Sequence, residues 1–196
     1  MLIVVRHGRT VANAAGELLG RRDPPLDPEG ERQAEAVARR LGRPALVVSS
    51  PLRRARQTAA RLAPGHRVDE RFVELDYGEL DGTPVAEVDP AVWTRWRAEP
   101  DWRPPGGETL TELGERVRAG LEDLVEVAAD DDVVVVTHVS PVKAAVAWAL
   151  GVGVEISWRC YVAPASITRI AWRAGAPSLV SFDETAHLDA LSGPTR

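Results

Sequence analysis

Four side chains that can carry positive charge frame the question of what this chain does. Arg6 and His7 stand side by side where an apolar run over residues 2–5 ends. Arg54 follows a second apolar run, residues 45–49, and falls in the first turn of the helix expected after it. His138 closes a third, residues 133–136. Each has a bland explanation when taken alone. Arg54 lies among Arg53 and Arg56, and such a run usually marks a solvated helix face. A histidine at a strand end is more often structural than catalytic. Yet functional groups of an open parallel sheet collect beyond the carboxyl ends of its strands. Four cation-capable groups on one such rim repel one another unless an anion compensates.

The elements that would position them follow from periodicity. The runs at residues 2–5, 45–49 and 133–136 are short, continuous and rich in β-branched residues, the pattern of strands buried on both faces. The 133–136 run is expected to be central. Helices are expected over residues 29–41, from Ser50-Pro51 through Leu62, from Thr109 through Leu124, and over residues 141–150, each with apolar residues at i, i+3, i+4 spacing or a proline-marked start. Residues 68–73 read as a short strand, and a short helix is expected around Trp93 and Trp96. Residues 166–172 and 178–182 read as two strands paired across the turn Arg173-Ala174-Gly175-Ala176-Pro177. The tail from Ser192 is expected to fray. Strands alternating with helices imply an α/β fold, a three-layer αβα sandwich around a mostly parallel sheet. One domain over residues 1–196 is expected, with a small lid insertion near residues 76–108.

Bulk properties narrow the function classes. The chain has 196 residues, 44% hydrophobic and 27% charged, an ordinary balance for one cored domain. A net charge of -5 argues against nucleic acid or an acidic membrane as partner. No apolar run approaches the roughly 20 residues of a spanning helix. Cys160 is the only cysteine, so a Cys-rich metal site and an internal disulfide are excluded, and a cytoplasmic setting is expected. Lys143 is the lone lysine in an arginine-rich chain, which reads as composition bias rather than chemistry.

Ordered motifs carry a family resemblance. Val-Val-Arg-His-Gly-Arg-Thr-Val-Ala-Asn (residues 4–13) resembles the signature of the histidine phosphatase superfamily, the phosphoglycerate-mutase-like enzymes. Residues 18–34 (LLGRRDPPLDPEGERQA), 49–59 (SSPLRRARQTA), 74–82 (ELDYGELDG), 104–117 (PPGGETLTELGERV) and 133–141 (VVVVTHVSP) resemble its further motifs in order.

The resemblance implies roles residue by residue. His7 is the implied nucleophile, forming a phosphohistidine. Arg6 and Arg54 are the implied phosphate clamp, since guanidinium forks match phosphate oxygens. His138 would stabilise charge on the transferring group. Glu74 is the implied general acid, picked from nearby Asp76, Glu79 and Asp81 by motif alone, and a carboxyl beside phosphate in a partly closed site is expected to hold a proton. Asn13 reads equally as an amide donor to phosphate or as a cap residue. Gly20, Arg21 and Val139 fall at motif positions that imply substrate contact. Arg21 and Arg22 could reach a second anion or simply lie in an exposed loop. His66 reads as surface and His187 stays open.

No metal or other cofactor is called for by this scheme, and the partner is a small phosphorylated substrate, with the chain a monomer or homodimer. The length and the short 82–107 stretch favour a phosphatase over a mutase. A non-catalytic phospho-ligand or protein-binding module of the same fold is the alternative of a different class. Leu19 replaces a residue often polar in the family, and Val139 replaces a usual glycine. The sequence His138-Val139-Ser140-Pro141-Val142-Lys143-Ala144 looks more like the α-ribazole phosphatase and acid phosphatase branch. Trp93, Trp96 and Trp102 suit either a lid over the substrate or packing of their segment.

Overall fold

The apolar runs become the strands of one six-stranded sheet. In the computed structural model, which describes residues 1–191, the elements in chain order are β1 (Leu2–Arg6), α1 (Val11–Ala14), α2 (Pro28–Leu41), β2 (Leu46–Ser49), α3 (Arg53–Leu62), β3 (Arg67–Val68), α4 (Pro90–Ala98), α5 (Leu110–Glu122), α6 (Val125–Asp130), β4 (Val133–Thr137), α7 (Val139–Leu150), β5 (Ile167–Arg173) and β6 (Ala176–Glu184). The strand order is β3-β2-β4-β1-β5-β6. The first four strands are parallel, β5 is antiparallel to β1, and β6 is antiparallel to β5. The architecture is therefore the mixed α/β sandwich that the pattern implied, with β4 and β1 side by side in the interior of the sheet.

Every residue of β1 and β4 is buried, and alternate side chains serve opposite cores. Leu2, Val4, Val133 and Val135 pack with Leu113, Leu121 and Val142 of α5 and α7. Ile3, Val5, Val134 and Val136 pack with Val37, Ala55 and Ala59 of α2 and α3. Burying one such aliphatic side chain contributes about 1.5–3 kcal/mol, so neither face of these two strands can be left to water. That is why helices cover both.

Helix ends follow local chemistry. Asp27 accepts the Gly30 N–H at 2.7 Å with Pro28 next to it, which starts α2 one residue earlier than its periodicity suggests. Thr109 and Glu112 form a reciprocal capping box at the start of α5. Ala174 and Gly175 both have positive φ, 51° and 79°, and make the two-residue turn that joins β5 to β6.

Three expectations need correction. Residues 68–73 are not a strand beyond Val68. The Asp69 carboxylate accepts the Arg71 N–H at 3.0 Å and winds Glu70–Phe72 into a 3-10 turn. The helix from Thr109 does not run through Leu124 but stops at Glu122, and Leu124 starts α6. The helix after His138 starts at Val139, not Pro141, because a proline in the first turn gives up only an N–H that has no partner there. The tail from Ser192 lies outside the described residues.

Gly8 and Gly30 let the loop after β1 pass close to the start of α2. A Cβ at Gly30 would lie 2.0 Å from the Arg9 carbonyl oxygen, and one at Gly8 would lie 2.4 Å from that of Gly30. Both obstacles are backbone and cannot rotate away. Gly30→Ala is expected to destabilise the protein by about 1–3 kcal/mol, read as a lower urea midpoint at unchanged m-value. An unchanged midpoint would show that the two segments are free to separate.

Candidate active site

Sheet register brings the two histidines together. β1 and β4 pair with Arg6 opposite Thr137, so the next residues, His7 and His138, emerge as neighbours. The His7 N–H donates to the Thr137 carbonyl at 2.9 Å, and the rings meet edge-on with centroids 5.0 Å apart. The adjacent end of β2 delivers Ser50, whose N–H donates to the Val136 carbonyl at 2.9 Å. Arg54 then enters from the first turn of α3.

The hydrogen bonds define the protonation of this group. His7 Nδ1 lies 2.6 Å from the Gly8 carbonyl oxygen, which accepts only from a protonated Nδ1. Nε2 of His7 is thereby the lone-pair nitrogen. Arg54 Nε–H reaches both that Nε2 and Nδ1 of His138, each at 3.2 Å. With Nδ1 accepting, the proton of neutral His138 sits on Nε2, which is 2.6 Å from Ser50 Oγ. The remaining Arg54 nitrogens donate to backbone carbonyls: Nη1 to Arg22 at 2.7 Å, Nη2 to Gly20 at 2.8 Å. Arg54 is completely buried and forms no ion pair among the described residues.

Arg6 is the second buried guanidinium. Its Nη1 donates to the Val162 carbonyl at 2.6 Å, and its Nε has no hydrogen-bond partner among the described residues. A buried donor left unpaired costs roughly 1–3 kcal/mol, so this centre holds unspent capacity for an acceptor. Asn13 is a cap residue, the second of its two sequence readings, and it stands at the cavity. Its Oδ1 accepts from Thr10 N at 3.1 Å in a capping box, and its side chain lines the same cavity as His7.

Glu74 is buried and closes the start of α7. Its Oε2 accepts the Val139 N–H at 3.0 Å and its Oε1 accepts those of Ser140 at 3.1 Å and Leu75 at 2.8 Å. Those three donors fix the orientation of the carboxyl group at the start of α7. Val139 therefore lines the cavity while its N–H is committed to Glu74.

These groups face a cavity of about 260 Å³. Arg6, His7, Asn13 and Glu74 form its polar end, and Leu18, Leu19, Trp93, Trp96, Leu110 and Trp158 form its apolar walls. Arg54 and His138 are not among the lining residues; Arg54 adjoins the cavity through Nε2 of His7, and His138 through its edge contact with the His7 ring. Gly20 and Arg21 are not brought to the wall. Their N–H groups donate to the Asp81 carboxylate at 2.9 and 2.8 Å, and the Arg21 side chain lies 3.6 Å from Glu108. His66 and His187 are elsewhere, at the Ala63 and Ala165 carbonyls. Trp93 and Trp96 stack at 5.9 Å and both meet Trp158 edge-on, so the aromatic segment packs and lines the cavity at once.

Sequence reasoning missed Ser50, Trp158 and Lys143. Ser50 carries a usable signal, since it ends β2 in register with the end of β4. Lys143 carries one as well: it follows Val139 by four residues on α7, the spacing of one helix face. Trp158 carries none, because it comes from a short 3-10 segment, Val154–Arg159, that no apolar periodicity announces.

Both imidazoles are held well below the usual histidine pKa, first by burial, then by the Arg54 cation, with Arg6 acting in the same direction. Burial also pushes Arg54 down to about 10. The histidines are thus neutral in the folded protein at pH values where an unfolded histidine, with a pKa near 6.5, takes a proton. Their stabilising contribution is complete above that value and is lost as pH falls below it, by up to about 1.4 kcal/mol per pH unit for each histidine. Urea midpoints between pH 7.5 and 5 should fall less steeply in His138→Gln than in the parent. Parallel slopes would contradict a neutral buried His138.

Residues 2–185 match the histidine phosphatase superfamily, branch 1. A protein named probable phosphoglycerate mutase GpmB from Yersinia enterocolitica is 33% identical over 204 residues, covering 96% of this chain and 94% of that one. A bifunctional protein of Mycobacterium tuberculosis is 35% identical over 198 residues, covering 95% of this chain but 54% of its own length. The chain thus spans about half the length of the curated relatives of that group. Among solved structures, the mycobacterial glucosyl-3-phosphoglycerate phosphatase in complex with VO3 superposes with a TM-score of 0.85 at 32% identity, covering 94% of this chain and 98% of that one. An Entamoeba histolytica phosphoserine phosphatase mutant in complex with phosphoserine gives 0.87 at 27%, covering 95% and 98%. With nearly the whole described chain matched, and with both histidines meeting at adjacent strand ends, the protein belongs to the histidine phosphatase superfamily.

Proposed function

We propose that the protein is a phosphomonoester hydrolase that works through a covalent phosphohistidine on His7. One observation carries this reading: the His7 Nε2 lone pair is presented beside two buried guanidiniums, with the ring oriented through Nδ1 by the Gly8 carbonyl. A neutral, fixed imidazole in a cationic enclosure is the form a nucleophile toward a phosphate dianion needs.

In the first step the Nε2 lone pair forms an N–P bond as the ester P–O bond breaks. The departing oxygen takes its proton from Glu74, the general acid. Arg6, Arg54, Asn13 and His138 hold the transferring oxygens and neutralise their charge. The Arg54 Nε–H, shared between two imidazoles in the free protein, turns to the phosphate. In the second step water gives a proton to the Glu74 carboxylate while its oxygen bonds to phosphorus, and the N–P bond breaks. Ester and water become alcohol and inorganic phosphate, and His7 is neutral again. The buried guanidiniums supply the positive charge that many phosphoryl-transfer enzymes draw from a metal ion, so the reading is metal-independent. Residues 76–108 act as a lid through Trp93 and Trp96. Its setting is the cytoplasm, and its substrate is a small phosphorylated metabolite.

Hydrolysis of p-nitrophenyl phosphate should proceed in EDTA, stop with vanadate and vanish in His7→Ala. No turnover of any phosphomonoester would overturn the reading in favour of a binding module, and isomerisation of 3-phosphoglycerate would favour a mutase. Because His7 stays neutral below its usual pKa, the acid limb of kcat/KM should lie below pH 6.5. Glu74→Gln should lose about 10²–10⁴-fold with an alkyl phosphate and markedly less with p-nitrophenyl phosphate, whose leaving group needs no proton. Equal losses would remove Glu74 from proton transfer.

A further inference from the structure

Lys143 is the one cation of the cavity wall that the hydrolytic scheme does not use. It sits on α7, four residues past Val139 and three past Ser140, and all three line the cavity. This places it one helical turn, about 5–6 Å along the axis, from the helix start that Glu74 closes. Its side chain is half-buried, and its ammonium has no hydrogen-bond or ion-pair partner among the described residues. Burial lowers its pKa, while Glu74 and Cys160 act against that shift. An ammonium partly removed from water with no contact partner is a site waiting for an anion.

The neighbouring charges say which kind. Arg6 belongs to the reacting phosphate. Arg22 is paired with Glu17 at 3.1 Å, and Arg21 faces Glu108 and Asp76, so neither is free to join Lys143. Glu74 accepts three backbone N–H groups. A single unpaired ammonium between tryptophan and leucine walls matches one negative charge, a carboxylate, and falls short of a second phosphate dianion.

We infer that Lys143 is a specificity residue that binds a carboxylate on the alcohol part of the substrate, a few bonds from the ester oxygen. The inference rests on the phosphatase reading. The substrate class is then phosphorylated hydroxy acids, with the phosphate at His7 and the carboxylate one turn along α7.

The test compares two esters that differ only at that position. 3-Phosphoglycerate carries a carboxylate where the matching enantiomer of glycerol 3-phosphate carries a neutral hydroxymethyl group. The parent protein should hydrolyse 3-phosphoglycerate with about 10- to 100-fold higher kcat/KM, the range expected for one charge-assisted hydrogen bond. Lys143→Met should remove that preference mainly through KM for 3-phosphoglycerate, and Lys143→Arg should restore most of it. Equal treatment of the two esters by the parent overturns the inference without needing any variant. So does a preference that survives in Lys143→Met. A parent that leaves p-nitrophenyl phosphate untouched fails the phosphatase reading itself, whereas turnover of p-nitrophenyl phosphate with no carboxylate preference fails only the role of Lys143.

Discussion

The burial of Arg54 between two neutral imidazoles is the constraint around which the rest is arranged. A guanidinium taken out of water loses hydration worth several kcal/mol unless its donors are satisfied. Here they are satisfied by ring nitrogens and backbone carbonyls rather than by a carboxylate. The positive charge is therefore solvated but not neutralised. After burial itself, it is the main influence that holds both histidines unprotonated, and it leaves the centre with a net electrostatic demand that an anionic ligand meets. A salt bridge at the same place would have satisfied Arg54 and cancelled the reason for an anion to enter.

The scaffold's task is to bring that arrangement about from distant parts of the chain. Parallel pairing of β1 with β4 sets His7 against His138 within the ladder itself, so their relative position is as firm as the sheet. Valine-rich burial on both faces anchors the two strands between the two cores, with Leu2 to Arg6 paired in order against Val133 to Thr137. Glu74 arrives from an irregular segment and is fixed instead by the open end of α7. Its carboxyl oxygens accept from backbone donors that the His138 side chain leaves uncapped.

Much of this was legible in the residues, for identifiable reasons. Buried parallel strands are written as unbroken apolar runs, and the helices at Asp27 and Thr109 announce their caps. The four cationic groups could be assigned to one rim because strand ends share an edge. The strand expected after Val68 was lost to a side-chain-to-backbone bond from Asp69, a local competitor that a hydrophobic pattern does not display. The break between α5 and α6 is equally silent, since Leu121 and Leu124 continue the apolar spacing across it. At the site, identity was readable but orientation was not. Asn13 could be named, yet only coordinates show that one end of its amide caps α1 while the residue faces the cavity. Gly20 and Arg21 have motif positions, but Asp81 turns their backbone donors away from the wall.

The loop that carries Leu18 and Leu19 into the cavity is fastened at two levels. Asp81 gathers the N–H groups of Gly20, Arg21 and Arg22 from outside, and Arg54 holds the carbonyls of Gly20 and Arg22 from beneath. Substitutions in this segment are coupled to the buried centre, because a repositioned Gly20 or Arg22 carbonyl also moves the guanidinium that, together with burial, keeps both rings uncharged. Among the described residues the tryptophans make no hydrogen bond to Arg54 or to either histidine. Diversification among descendants of this scaffold is accordingly cheapest along α4 and around Trp158, where new side chains can be tried while the reactive machinery is left in place.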